Sequence, residues 1–177
     1  MIVVLINSMP DTDLLREVYQ GLDDINLLIN PTEEQLIQVL CANPTTERLL
    51  AMGHGTGWGL INEDFSGYIL NRADADLLRS REVIGIWCHA SDYAQAEGLH
   101  GFFTSMFISN VGESQIYGYN DYSNQDIFSE VTLFSKRLNK LLKDKTPLNE
   151  WVDILRSQAD MSKDYVAFNY NGLYYKP

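Results

Sequence analysis

Short aliphatic runs alternate with stretches of helical spacing from residue 1 to about residue 108. Residues 2–6 (IVVLI) carry no polar interruption, which predicts a strand covered on both faces. Residues 25–29 (INLLI), 48–52 (RLLAM), 83–87 (VIGIW) and 102–108 (FFTSMFI) read as further strands, that over 48–52 stopping at Gly53-His54-Gly55. Between them, 12–22 place Leu14, Leu15, Val18 and Leu22 at helical spacing. Pro31, Glu33 and Glu34 open a helix that continues through Leu36, Leu40 and Cys41. On that stripe Cys41 reads as a core residue. Residues 58–70 suit a hairpin with a polar turn, and 73–80 and 91–98 suit short helices.

After residue 108 the pattern changes. The stretch 110–126 is glycine- and tyrosine-rich without a period, so a loop or a short helix is expected. Residues 125–143 put Ile127, Val131, Phe134, Leu138 and Leu141 on one stripe, and Pro147 opens another helix. Asn171-Gly172 lies between two β-type runs and predicts a C-terminal hairpin. Strand–helix alternation predicts a three-layer, doubly wound, mostly parallel sheet with helices on both faces, plus that C-terminal β-hairpin. No repeat, low-complexity tract or linker divides the chain, so residues 1–177 are read as a single α/β domain.

Composition narrows the function classes. Of 177 residues, 45% are hydrophobic and 21% charged, as in globular proteins. Thirteen Lys and Arg against 24 Asp and Glu give a formal net charge of −11, which repels phosphate backbones and argues against nucleic-acid binding. Two cysteines are too few for a disulfide-built secreted domain. The start MIVVLINSMPD lacks a basic segment, and no run of about eighteen apolar residues occurs, so neither a signal peptide nor a membrane span is expected. The expectation is a cytoplasmic protein.

In an open parallel sheet, ligands bind at the carboxyl ends of strands. The residues just past each apolar run are therefore the candidates: Asp11, His54, Cys88 and Ser109. His54 and Cys88 stand out together. If their strands are neighbours, both side chains emerge at one edge, about 5 Å apart at the backbone. A free thiol is mostly protonated at neutral pH, and an adjacent imidazole activates it and later protonates the leaving amine. Gly55, lacking a Cβ, would let a substrate approach, and its N–H together with that of Cys88 would face a developing oxyanion.

The stretch LLAMGHGTGWGLINEDFSGYILNRADADLL followed by VIGIWCHAS resembles the caspase-like cysteine peptidases, which include caspases, metacaspases, gingipains and clostripain. His54-Gly55 is similar to the family's His-Gly, Asp64 to its hairpin aspartate, and Cys88-His89-Ala90-Ser91 to the Cys-His-Ser-Gly of metacaspases. The resemblance covers about residues 48–110. It implies a caspase-like fold and peptide-bond hydrolysis by a His54–Cys88 dyad, with Gly55 and Cys88 as the oxyanion hole and a peptide or protein as substrate. Ile86 stands where metacaspases and clostripain carry aspartate, so no basic preference is implied.

Around that dyad, Asp11, Ser109 and Trp87 are the candidate substrate-pocket residues. Glu113 could face the same cleft, although solvated loops are the simpler account of both Asp11 and Glu113. His89 and His100 read as structural or loop residues. No Cys-x-x-Cys or His-Glu-x-x-His spacing supports a metal, and GHGTGWG is not a phosphate loop, so no metal and no cofactor are expected. Two alternatives remain at this level. One is a catalytically inactive caspase-like binding or regulatory module. The other is a cysteine amidohydrolase of the glutamine-amidotransferase type, for which Ile86-Trp87-Cys88-His89-Ala90 departs from the expected glycine-flanked elbow. The oligomeric state is left open.

Overall fold

The aliphatic runs pair into one sheet. In the computed structural model, which describes residues 1–177, β1 (Ile2–Leu5), β2 (Asn26–Ile29), β3 (Leu49–Met52), β7 (Val83–Ile86), β8 (Gly101–Thr104) and β9 (Leu173–Lys176) lie in the order β2-β1-β3-β7-β8-β9. The pairs from β2 to β8 are parallel, and only β9 is antiparallel. A second, antiparallel sheet of β4 (Gly55–Thr56), β5 (Gly59–Ile61) and β6 (Tyr68–Leu70) follows β3.

Both faces of β1, β3, β7 and β8 are covered, which is why these strands carry no polar alternation, while the edge strand β2 leaves Leu27 and Ile29 exposed. Val3, Leu5, Leu50, Met52, Ile84 and Ile86 face one core, shared with the helices α6 (Asn124–Lys143), α7 (Leu148–Gln158) and α8 (Asp164–Asn171). Ile2, Val4, Leu49, Ala51 and Val83 face the other core. That one is shared with α2 (Glu33–Ala42), α3 (Ala75–Leu78) and α4 (Ala90–Glu97). Each fully buried aliphatic side chain contributes about 1.5–3 kcal/mol. The result is a mixed α/β, three-layer arrangement with a mostly parallel central sheet. No helix is long and apolar enough to cross a membrane.

Four expectations need correction. Asn171-Gly172 does not turn a hairpin. The buried residues Tyr165, Val166, Asn169 and Tyr170 follow helical spacing, and Asn171-Gly172 ends α8, with the Gly172 N–H donating to the Phe168 and Asn169 carbonyls. Only β9 follows, crossing to β8. Cys41 is exposed rather than in the core, because α2 buries Leu36 and Leu40, one turn apart, and Cys41 sits about 100° round from Leu40. The helix expected over 12–22 is instead one turn, α1 (Pro10–Asp13), and a 3₁₀ segment, Leu14–Val18. It stops where Asn139 Nδ2 donates to the Val18 and Gln20 carbonyls and Gly21 turns left-handed. The strand expected over 102–108 ends at Thr104, since Phe107 leaves the sheet to pack on Phe134 at 4.7 Å between ring centroids. The aperiodic stretch after it holds α5 (Val111–Ile116), capped by the Asn110 side chain accepting from the Glu113 N–H.

Candidate active site

The topology places the site. The chain winds one way from β1 to β2 and the other way through β3, β7 and β8, so the winding reverses between β1 and β3. Crevices at such reversals, beyond the carboxyl ends of the strands, are where open α/β sheets bind ligands. Asp11 follows β1 and His54 follows β3. Cys88 follows β7, the next strand over. Met52 and Ile86 form the last rung between β3 and β7, and Gly53 N–H still donates to the Ile86 carbonyl at 3.1 Å. His54 and Cys88 each lie two residues beyond that rung, in register with one another.

Asp11, His54, Trp87, Cys88 and Ser109, five of the six residues singled out from the sequence, line one cavity of about 40 Å³. Thr104, Phe107 and Val131 are among the other residues that line it. The volume suits water-sized occupants, not a side chain.

Asp11 is almost fully buried. Its Oδ2 accepts from Ser109 Oγ at 2.7 Å and Asn110 Nδ2 at 3.1 Å, while Oδ1 lies 3.5 Å from His54 Nε2. Burial pushes the Asp11 carboxyl up, but the contacts with His54, Ser109 and Asn110 outweigh it and hold the group well below the usual carboxylate range. The same carboxylate raises His54 above the ordinary imidazole value, against the opposing effect of burial, with Glu113 adding to the rise. The His54–Asp11 contact becomes an ion pair when His54 is protonated but is not a hydrogen bond, so the buried Nε2 has no hydrogen-bond partner. Phe65 stacks against the His54 ring at 5.6 Å.

Glu113, which sequence reasoning assigned to a solvated loop, belongs to this cluster. Its Oε2 accepts from Ser109 N at 2.7 Å and Ser109 Oγ at 3.0 Å. A hydroxyl carries one proton, so Ser109 donates to Asp11 or to Glu113 at any instant, not fully to both. Over 110–126 the sequence allows a loop or a short helix without fixing where a helix starts, and without that start the i to i+4 placement of Glu113 against Ser109 leaves no signal.

Cys88 donates its thiol to the Phe107 carbonyl at 3.5 Å. Burial, and then the negative charge of Glu113 and Asp11, push the thiol up to about 12. At neutral pH it is therefore protonated, and it must leave the Phe107 carbonyl to act. His89 takes a left-handed backbone at the start of α4 and turns its ring to Asp92, with Nδ1 2.9 Å from Oδ2. Asp64 lies in the exposed β5–β6 turn, accepting from Ser66.

Gly55 is the one singled-out residue outside the cavity lining, and the reason for glycine there differs from the one anticipated. A Cβ at Gly55 would sit 2.1 Å from Trp87 Cδ1, so the space belongs to the indole rather than to a substrate. Trp87 itself is a buried side chain whose Nε1 donates to the Thr56 carbonyl at 3.3 Å. Two amides beside the cavity are not taken up by a neighbouring strand. Ile61 N–H donates to the His54 carbonyl, which makes Gly55 and Leu60 a non-hydrogen-bonded rung and turns the Gly55 N–H away from β5, on the edge strand of its sheet. Cys88 N–H has no partner on the backbone.

No protein-family model matches this chain, and no curated protein or solved structure is detectably similar to it.

Proposed function

We propose that this chain is a caspase-like thiol hydrolase that cleaves peptide bonds, with Cys88 as nucleophile and His54 as base. The observation that carries this reading is the convergence of His54, Cys88 and the buried Asp11 carboxylate on one cavity at the carboxyl ends of β1, β3 and β7. Because the thiol and imidazole do not form a standing ion pair, the proton moves as the attack occurs. Neutral His54 takes the Cys88 proton, and sulfur adds to the scissile carbonyl. The Gly55 and Cys88 amides receive the oxyanion. His54 then gives its proton to the leaving amine, and water hydrolyses the thioester. Asp11 is a positioning residue in this scheme, its carboxylate holding and stabilising the charged imidazole across 3.5 Å without a hydrogen bond. The cavity is small, so the peptide lies across its mouth with only the scissile carbonyl entering.

The protonated thiol bonded to Phe107 favours a second reading, a non-catalytic module of the same architecture. One experiment separates the two. A set of peptidyl electrophiles is incubated with the protein and the adducts are mapped by mass spectrometry. The hydrolase reading expects modification at Cys88, lost in His54→Ala. Labelling confined to exposed Cys41, or a Cys88 adduct indifferent to His54→Ala, sinks it in favour of the module.

A further inference from the structure

The turn joining β5 to β6 runs from residue 62 to residue 67, and its left-handed position is occupied by a phenylalanine: Phe65 has φ +60°. Such a backbone costs a non-glycine residue about 1–2 kcal/mol, and turns normally place Gly, Asn or Asp there. Gly67 and Asp64 are close at hand in this turn, yet the aromatic takes the strained place. Core packing does not repay the strain, because Phe65 is 51% exposed. Its ring instead lies over His54, with centroids 5.6 Å apart and planes inclined by 39°. Strain of this kind collects at ligand clamps and active sites.

The direction of proton transfer says which part of a substrate this ring would meet. The imidazole that protonates the leaving amine must stand on the leaving-group side of the scissile bond. A ring stacked on that imidazole, with half its surface open, borders the residue that follows the cut.

We propose that Phe65 reads the substrate residue immediately after the scissile bond, receiving an aliphatic or aromatic side chain against its exposed ring. This rests on the hydrolase reading of Cys88 and His54. In that reaction the Cys88 S–C bond forms first, the amide C–N bond then breaks as the oxyanion collapses, and the departing amine carries away the His54 proton. Phe65 exchanges neither atoms nor electrons. It contributes a contact with the departing half.

The test is a peptide library varied only at the residue after the cut, read by mass spectrometry with the wild type, Phe65→Gly and Phe65→Tyr. Glycine adopts the left-handed backbone freely, so Phe65→Gly relaxes the turn while deleting the ring. The wild type is expected to favour Leu and Phe over Gly at that residue by about tenfold in kcat/KM, the low end for an apolar subsite. Phe65→Gly flattens the preference to within about threefold, and Phe65→Tyr keeps it. Capture of the thioester by phenylalaninamide rather than glycinamide should lose its bias in the same variant. A residue serving the turn alone would leave both ratios unchanged. Cleavage by wild type and Phe65→Gly with one and the same preference overturns the assignment and leaves the hydrolase reading standing. Absence of both cleavage and Cys88 labelling in the wild type removes the two together.

Discussion

Two ionic clusters lie on the α6 side of the sheet, and they are built differently. In the helical layer, Glu130 Oε1 accepts from Arg137 Nη1 at 2.7 Å and from Tyr170 OH at 2.8 Å, while Arg137 Nη2 donates to the Gln158 carbonyl. Burial pushes the Tyr170 hydroxyl up, so it remains a donor. Every charged group there has a directed partner. At the carboxyl edge of the strands, by contrast, His54 Nε2 is buried without a hydrogen bond, two carboxylates compete for the single proton of Ser109, and a thiol rests on a carbonyl. Polar groups completed by one another hold a fold together, whereas groups left incomplete are free to meet a substrate. The same chain contains both solutions, and substitutions should tell them apart.

The largest contrast is expected between His54→Ala and Glu130→Ala. Removing the base should lower kcat by about 10²–10⁴-fold, with a smaller loss in thermal midpoint from the missing contact to the buried Asp11 carboxylate. Glu130→Ala should do the reverse. It strands the Arg137 guanidinium and costs about 3 kcal/mol in urea unfolding, the low end for a buried pair because Arg137 keeps some exposure, with kcat per folded molecule unchanged. A Glu130→Ala protein of full stability but little activity would erase the distinction.

Asp11→Asn should fall between these extremes and show in the pH profile. The carboxylate raises His54, and His54 must be neutral to act as a base, so the rate of the wild type rises with pH on the alkaline side of about 6.5. Without the charge, the rising limb moves to lower pH and the plateau falls by roughly tenfold or more as the ring loses its orientation. Stability follows the same linkage. The share arising from the raised His54 value is fully present below about 6.5 and is lost as pH climbs through the folded value, so the gap in thermal midpoint between wild type and Asp11→Asn should narrow from about pH 6 to pH 9. On the acid side, the lowered Asp11 value supplies stability present above about 3.9 and lost as pH falls toward the folded value. A limb that stays in place in Asp11→Asn would remove Asp11 from the role of positioning residue. The smallest effect belongs to Cys41→Ser, expected within about 0.5 kcal/mol of wild type in denaturant titration, as befits an exposed helical position.

What the sequence revealed and what it concealed follow from the range of the physics involved. The inner strands of the parallel sheet were legible because a strand covered on both faces must be apolar throughout, and His54 and Cys88 were legible as the first functional groups past such runs. The six-residue helix behind Ser109 has too little length for a period, so Glu113 looked like any loop acid. Asn171-Gly172 carried a true local turn signal, but the stripe of Tyr165, Val166, Asn169 and Tyr170 against the sheet outweighed it. Asn169 contributes to that outcome by bracketing both the N–H and the carbonyl of Ile108, at 2.7 and 3.0 Å, a tertiary contact with no local trace. Asp11 could be placed after β1 from the pattern, whereas its distance to His54 depends on β1 and β3 being neighbours.

The indole next to the nucleophile ties several of these matters together. Trp87 fills the hollow above Gly55 and also the one above Gly85, where a Cβ would lie 2.8 Å from its ring. Positions 55, 85 and 87 therefore form a single steric unit, a tenon seated in two mortises, that fastens the strand after His54 to the strand before Cys88. Adding one methyl to either socket meets the indole first, and then the Gly59 carbonyl at position 55 or the Phe103 ring at position 85. The strands that carry the imidazole and the sulfur are thus joined through a side chain that takes no part in the proposed chemistry.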